Sequence, residues 1–233
     1  MKKIVMNGML AAALCFGFAA CDSGQRAAND AETATASDAN TTDTERDPME
    51  AAEDANEDKI ENNDAMANSA SDDKEDDAEF MMKAAASGMF ELQASELALQ
   101  KASSQSVKDF AKKMKDDHTK ANNELKALAA KKNITLPTSL DKEHLDKIED
   151  LQEEAGTDFD SEYMEAMHKA HEKDVKLFED ISEEDDVDAE VKAFASKTLP
   201  TLRSHNDMAE TKKEAAQKMD MDTIGVPKSK RNN

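Results

Sequence analysis

From about residue 78 to residue 218 the apolar residues of this chain recur every three or four positions, with very little glycine or proline between them. That spacing is the pitch of an α-helix, and no segment shows the alternation of a strand. The cleanest stripe is Val107, Phe110, Met114, His118, Ala121, Leu125 and Leu128. A later stretch gives Met164, Met167, His171, Val175 and Phe178, and the last gives Val187, Val191, Phe194, Leu202, His205 and Met208. An earlier segment has a broad face that includes Met81, Ala85, Gly88, Leu92 and Leu99, with Glu91 at its border. A long helix with one apolar face is stable only when that face is covered. Four such helices with mostly short connections predict an all-α fold, a four-helix bundle.

Start and stop signals place the long helices at about Asp77–Ala102, Ser106–Lys132, Thr157–Ser182 and Asp188–Lys218. Asn133 to Pro137 is a loop with a proline stop, and a shorter helix from Leu140 to Glu154 forms a crossover between the second and third long helices. The bundle domain is therefore expected over 78–219, followed by a flexible tail over 220–233. Pro200 falls inside the last helix and is expected to kink it, having no N–H to donate.

Ahead of the bundle the composition changes. Residues 22–77 carry 19 Asp and Glu against 4 Lys and Arg, with one Ile and no Leu, Val or aromatic residue. Such a segment buries too little apolar surface to offset the entropy of ordering, and it reads as a disordered acidic tether. The net charge of −22 gives no basic face for nucleic acid. At the N-terminus Lys2 and Lys3 precede a short apolar run, the pattern of a secretory signal over residues 1–21 and too short for a membrane-spanning helix. Phe18-Ala19-Ala20-Cys21 resembles a bacterial lipobox, although Leu is commoner than Phe at its first position. Cleavage there leaves Cys21 as the only cysteine of the mature chain, with no disulfide framework and no thiolate cluster. The expectation is lipidation at Cys21 and attachment to a membrane on the periplasmic or outer side of the cell.

Three of the five histidines, His118, His171 and His205, occupy the apolar stripes of three different helices, where Leu would be ordinary. Buried imidazoles need a partner for each ring nitrogen. Counting along an antiparallel bundle brings Glu91 nearly level with His118. The same count sets His171 and His205 roughly 10 Å out of level at 1.5 Å per residue, and His168 matches His205 better.

Several stretches resemble the bacterial "domain of unknown function 4142" family. They are Gly88-Met89-Phe90-Glu91, Gln100-Lys101-Ala102-Ser103, Val107-Lys108-Asp109-Phe110-Ala111, Asp116 to Asn122, Leu136-Pro137, and Lys197 to His205. The resemblance covers about Glu79 to Ala209 and implies a ferritin-like helical bundle in an exported protein. Position by position, Glu91, His118, His171 and His205 fall on the family's recurring polar residues, whereas His144 and His168 do not. The family brings no settled activity with it.

A ferritin-like di-iron centre needs Glu-x-x-His on two helices. Glu165-x-x-His168 fits, but position 115 before His118 is Lys and position 202 before His205 is Leu, which argues against that chemistry. Nucleophilic catalysis has no support, since the mature fold holds no free Cys and no Ser in a Gly-rich elbow. Two readings follow. In the first, a non-enzymatic, lipid-anchored envelope protein carries a structural polar layer and engages a partner in the envelope. In the second, Glu91, His118, His171 and His205 hold a single divalent Zn, Fe, Mn or Cu ion, with Met114, Met164, Met167 and Met208 as softer neighbours for copper.

Overall fold

The computed structural model describes residues 46–63 and 71–224, with side chains over 46–61 and 74–215. The fold is all-α. Its helices are α1 (Pro48–Asn63), α2 (Ser71–Lys101), α3 (Gln105–Lys132), α4 (Lys142–Glu153), α5 (Gly156–Glu183) and α6 (Ala189–Ile224). The signal segment and Cys21 lie outside the described residues, as do 225–233, while residues 220–224, expected in the flexible tail over 220–233, continue α6. No helix among the described residues is long and apolar enough to cross a membrane.

Each junction has a local cause. The α2–α3 turn is held from a neighbouring helix: the buried Asp160 carboxylate of α5 accepts from Ser103 N–H (2.9 Å), Ser103 O–H (2.6 Å) and Ser104 N–H (2.8 Å). At the C-terminus of α3, Asn133 adopts a left-handed φ of 61° and its N–H turns back to the last carbonyls. Asp141 caps α4 by accepting from His144 N–H. Gly156, at φ +62°, makes the turn into α5 at little steric cost. Asp188 takes the N–H groups of Glu190 and Val191 at the start of α6. The helix then runs on through the exposed Pro200 to Ile224.

Cross-helix pairs fix the directions. Glu96 pairs with Lys115 while Glu91 lies opposite His118, so α2 and α3 are antiparallel. Ser95–Tyr163 and Ser87–Asp174 make α2 and α5 antiparallel. Glu124–Lys197 and Asp117–His205 do the same for α3 and α6, and Glu179–Arg203 with His168–Asn206 for α5 and α6. It follows that α3 and α5 run the same way. The chain from 133 to 155, with α4 at its centre, returns along the molecule to the end where Gly156 meets Ala102.

The core has two apolar clusters. One gathers Phe90, Ala94, Phe110, Met114, Tyr163, Met164, Met167 and Ala209, closed by Leu140, Ile148 and Leu151 of the crossover. The other gathers Phe80, Met81, Leu125, Phe178, Val191, Phe194 and Leu202, with Phe80 edge-on to Phe178 at 5.0 Å between centroids.

The expectation of a disordered tether over 22–77 is corrected over its last part. α1 lies wholly within it, and α2 begins at Ser71 rather than Asp77. Polar pinning orders α1 where apolar burial could not. Asn56 donates to the Thr135 carbonyl (3.0 Å) and accepts from the Thr135 N–H (2.7 Å), while Lys59 reaches the Asn133 carbonyl (3.1 Å) and the Thr135 hydroxyl (2.5 Å). Ala52 is the buried apolar residue of α1. The buried Asp77 accepts from Asp188 N–H and joins α2 to the start of α6.

Because one carboxylate satisfies three donors at the α2–α3 turn, Asp160→Ala should lower unfolding stability by about 3 kcal/mol. Urea denaturation monitored by circular dichroism would show it as a lower midpoint at an unchanged slope.

Candidate metal centre

Between the two apolar clusters lies a polar level to which each long helix contributes one residue. Glu91 and His171 are 0% exposed, His205 1% and His118 4%. On every helix the position is bracketed by core residues of both clusters, such as Met114 and Leu125 around His118, or Met167 and Phe178 around His171. Gly88, one turn before Glu91, lets α3 come close: a Cβ there would sit 2.2 Å from Asn122 Oδ1, one turn beyond His118. That close approach sets Glu91 across from His118.

The three imidazoles form a triangle, with ring centroids 5.3, 5.4 and 5.5 Å apart. One nitrogen is committed to a hydrogen bond on two of the rings, His171 and His205. His171 Nδ1 donates to the Met167 carbonyl (2.8 Å). His205 Nε2 donates to Asp117 Oδ2 (2.8 Å). His118 Nδ1 lies 3.0 Å from Glu91 Oε2, and Glu91 Oε1 lies 3.0 Å from His171 Nδ1. The other three nitrogens, His118 Nε2, His171 Nε2 and His205 Nδ1, are buried without a hydrogen-bond partner. One ligand nitrogen from each ring can be chosen so that all lie within 4.8 Å of one another.

Burial pushes all three imidazoles toward the neutral form. His118 is held well below the usual histidine value by desolvation and then by its neighbours His171 and His205. His171 is lowered to about 3, again chiefly by burial. His205 is also lowered by burial, with the Asp117 carboxylate pulling the other way. At neutral pH the rings offer lone pairs rather than charge.

The carboxyls behave differently. Neither Glu91 oxygen has an N–H or O–H donor aligned on it. Its neighbour on the α5 side is Asp174, and two carboxyls can bond only if one keeps a proton. Burial first, then the charge of Asp174 and the bond to it, raise Glu91 well above the ordinary range, so the pair keeps a proton between its two carboxyls. Asp174 is pushed up to about 7 by burial, against the Ser87 hydroxyl that donates to it at 2.8 Å.

The structure therefore brings together all four residues singled out in the sequence, with the three histidines as the converging donors and Glu91 beside two of them. It corrects the level count. His171, not His168, faces His205, because α6 begins only at Ala189 and the α5–α6 turn absorbs the offset. His168 instead contacts Asn206 Oδ1 (3.1 Å), and its Glu165 is tied to Lys169 at the surface. His144 pairs with Asp141 on α4. Met114, Met164 and Met167 belong to the apolar core, and Met167 contributes its carbonyl. Sequence reasoning missed Asp117 and Asp174. The signal was adjacency: Asp117 directly precedes His118, and Asp174 lies one turn beyond His171 on the same helix.

The sequence model of the family described as "Domain of unknown function (DUF4142)" matches residues 61–211, well over half of the chain. The chain belongs to this family. The family match spans α2 to α5 and α6 past His205, so all four central residues lie inside it. No curated protein matches the chain. Among solved structures it is similar to the crystal structure of a DUF305 fragment from Deinococcus radiodurans, at 13% identity and a TM-score of 0.52, over 58% of this chain and 93% of that one. At that identity the likeness concerns the fold alone.

In metal-free protein the two kinds of group oppose each other with pH. Carboxyls raised on folding stabilise below their unfolded values near pH 4 and lose that contribution as pH rises toward 7. Lowered histidines leave the fold intact above about 6.5 and weaken it as pH falls. Asp174→Asn should flatten the loss between pH 4 and 7 and keep the acid-side loss. Urea midpoints in chelator across that range are the measurement; an unchanged slope would count against the shared proton.

Proposed function

We propose that this protein binds one divalent transition-metal ion, with His118 Nε2, His171 Nε2 and His205 Nδ1 as ligands. The observation that carries the reading is that three buried rings each keep one orphaned nitrogen, and that one nitrogen of each ring can be chosen within 4.8 Å of the other two. A satisfied polar layer would place a partner on each of them, since an unpaired buried polar group costs about 1–3 kcal/mol. Three atoms within 4.8 Å of one another enclose a point at most about 2.8 Å from each, so drawing in by no more than about 0.7 Å reaches the zinc–nitrogen distance.

The committed nitrogens support the same reading. Ligating histidines characteristically donate their other N–H to a carboxylate or carbonyl, which fixes the tautomer and strengthens the donor. His205 does so to Asp117 and His171 to the Met167 carbonyl. Glu91, beside two of the rings, is the nearest further ligand once its proton leaves. Three imidazoles and a carboxylate suit Zn, Fe, Mn or Cu. The proposal extends to the setting: a ferritin-like four-helix bundle with α4 as its crossover, exported and held at a membrane by lipid on Cys21. The directions of α2, α3, α5 and α6 and the lipobox-like Phe18–Cys21 support these two parts respectively.

Purified full chain expressed with metal supplied should contain about one ion per molecule by plasma emission analysis. His118→Ala and His171→Ala should each lose it, with affinity down by at least tenfold. Metal-free protein after replete expression and direct addition of zinc would sink the proposal. For the anchor, Cys21→Ser should move the protein from the membrane to the soluble fraction; continued membrane association would refute acylation.

A further inference from the structure

We propose that the ion reaches the histidines from the groove between α2, α4 and α5, passing from Asp174 to Glu91. The inference rests on the metal-binding reading and names a second, transient cation station for it.

A groove of about 1100 Å³ opens where the crossover lies over α2 and α5. Its floor is partly apolar, with Phe90, Leu151, Ala166 and Ala170, and its walls carry nine carboxylates against four lysines. A concave surface with an excess of one charge concentrates the opposite ion, which can raise association rates by 10- to 1000-fold. Asp174 and Ser87 both line this groove and are joined to each other at 2.8 Å. Behind them stands Glu91, wholly buried, with no N–H or O–H aligned on its oxygens and both His118 and His171 within 3.0 Å. From the groove inward the order is Asp174, Glu91, then two of the three rings.

The opposite approach is poorly suited to a cation. On the α3–α6 side the only carboxylate held against the site's rings among the described residues is Asp117, and its Oδ2 already carries the Lys113 ammonium at 2.6 Å and the His205 ring at 2.8 Å. A cation arriving there meets a positive charge and then the committed edge of an imidazole. On the groove side it meets the carboxylates of the lining and then Asp174, which can replace part of its hydration shell ahead of Glu91.

Stopped-flow mixing of the metal-stripped full chain with cobalt(II) chloride, followed by visible absorption, tests the route. Association should slow by about tenfold in Asp174→Asn and fall with added salt. Ala170→Trp, which places bulk one turn before Asp174 on the groove floor without changing charge, should slow association similarly. Should Asp174→Asn lose its helical circular dichroism, the Trp variant decides alone. Association within about twofold of the unaltered chain overturns the route, as does a loss of affinity that lies entirely in faster release, since Asp174 would then only orient Glu91. If the unaltered chain takes up no cobalt, the metal-binding reading itself falls; if it does and the variants match it, only the route falls.

Discussion

A buried imidazole cannot be left to chance in a helical core, and this protein places three of them on one level. Removing polar groups from water costs free energy unless something compensates each of them. Here compensation fixes the rest of the architecture. His171 is tied to its own helix, His205 to α3, and His118 faces α2. A one-residue shift of any long helix would rotate its polar residue by about 100° and strand it among Leu, Phe and Met. The apolar clusters on either side supply the bulk of the burial energy, while the polar level between them selects one register.

Much of this arrangement was legible in the sequence. The stripes of three and four residues located α2 to α6 to within a few positions, except that α2 and α6 each extend about six residues further than their stripes indicated. The stripes also exposed His118, His171 and His205 as residues out of character with their faces. Glu91 was legible through its family position and its level opposite His118. Less legible was anything held by side-chain-to-backbone bonding across long sequence separations. α1 has a weak stripe, and its order comes from Asn56 meeting the backbone of Thr135, a contact no local pattern announces. The level of His205 depended on where the α5–α6 turn was spent, and rise per residue alone could not settle that.

The crossover has a geometric effect beyond connecting two helices. By returning the chain along the molecule it makes α3 and α5 run in the same direction, so the two helices bearing His118 and His171 each face α2 and α6, which both run the opposite way. It also leaves a groove over the α2–α5 seam, and the carboxyl pair of Glu91 and Asp174 lies on the path between that groove and the rings. Burial, before any effect of one carboxyl on the other, suppresses the ordinary acidity of both.

One oxygen at the edge of the site links the surface to its centre. Asp117 Oδ2 takes both the exposed Lys113 ammonium and the Nε2–H of the buried His205, and Asp117 itself is only 35% exposed. The ammonium and the ring divide the negative charge of a single atom. Whatever neutralises Lys113 hands a larger share of that charge to the imidazole, and electron density gained at Nε2–H raises the basicity of Nδ1 across the ring. The donor strength of a nitrogen sealed in the middle of the protein is thereby set in part by an ammonium group in open water, a form of tuning that needs no movement of the backbone.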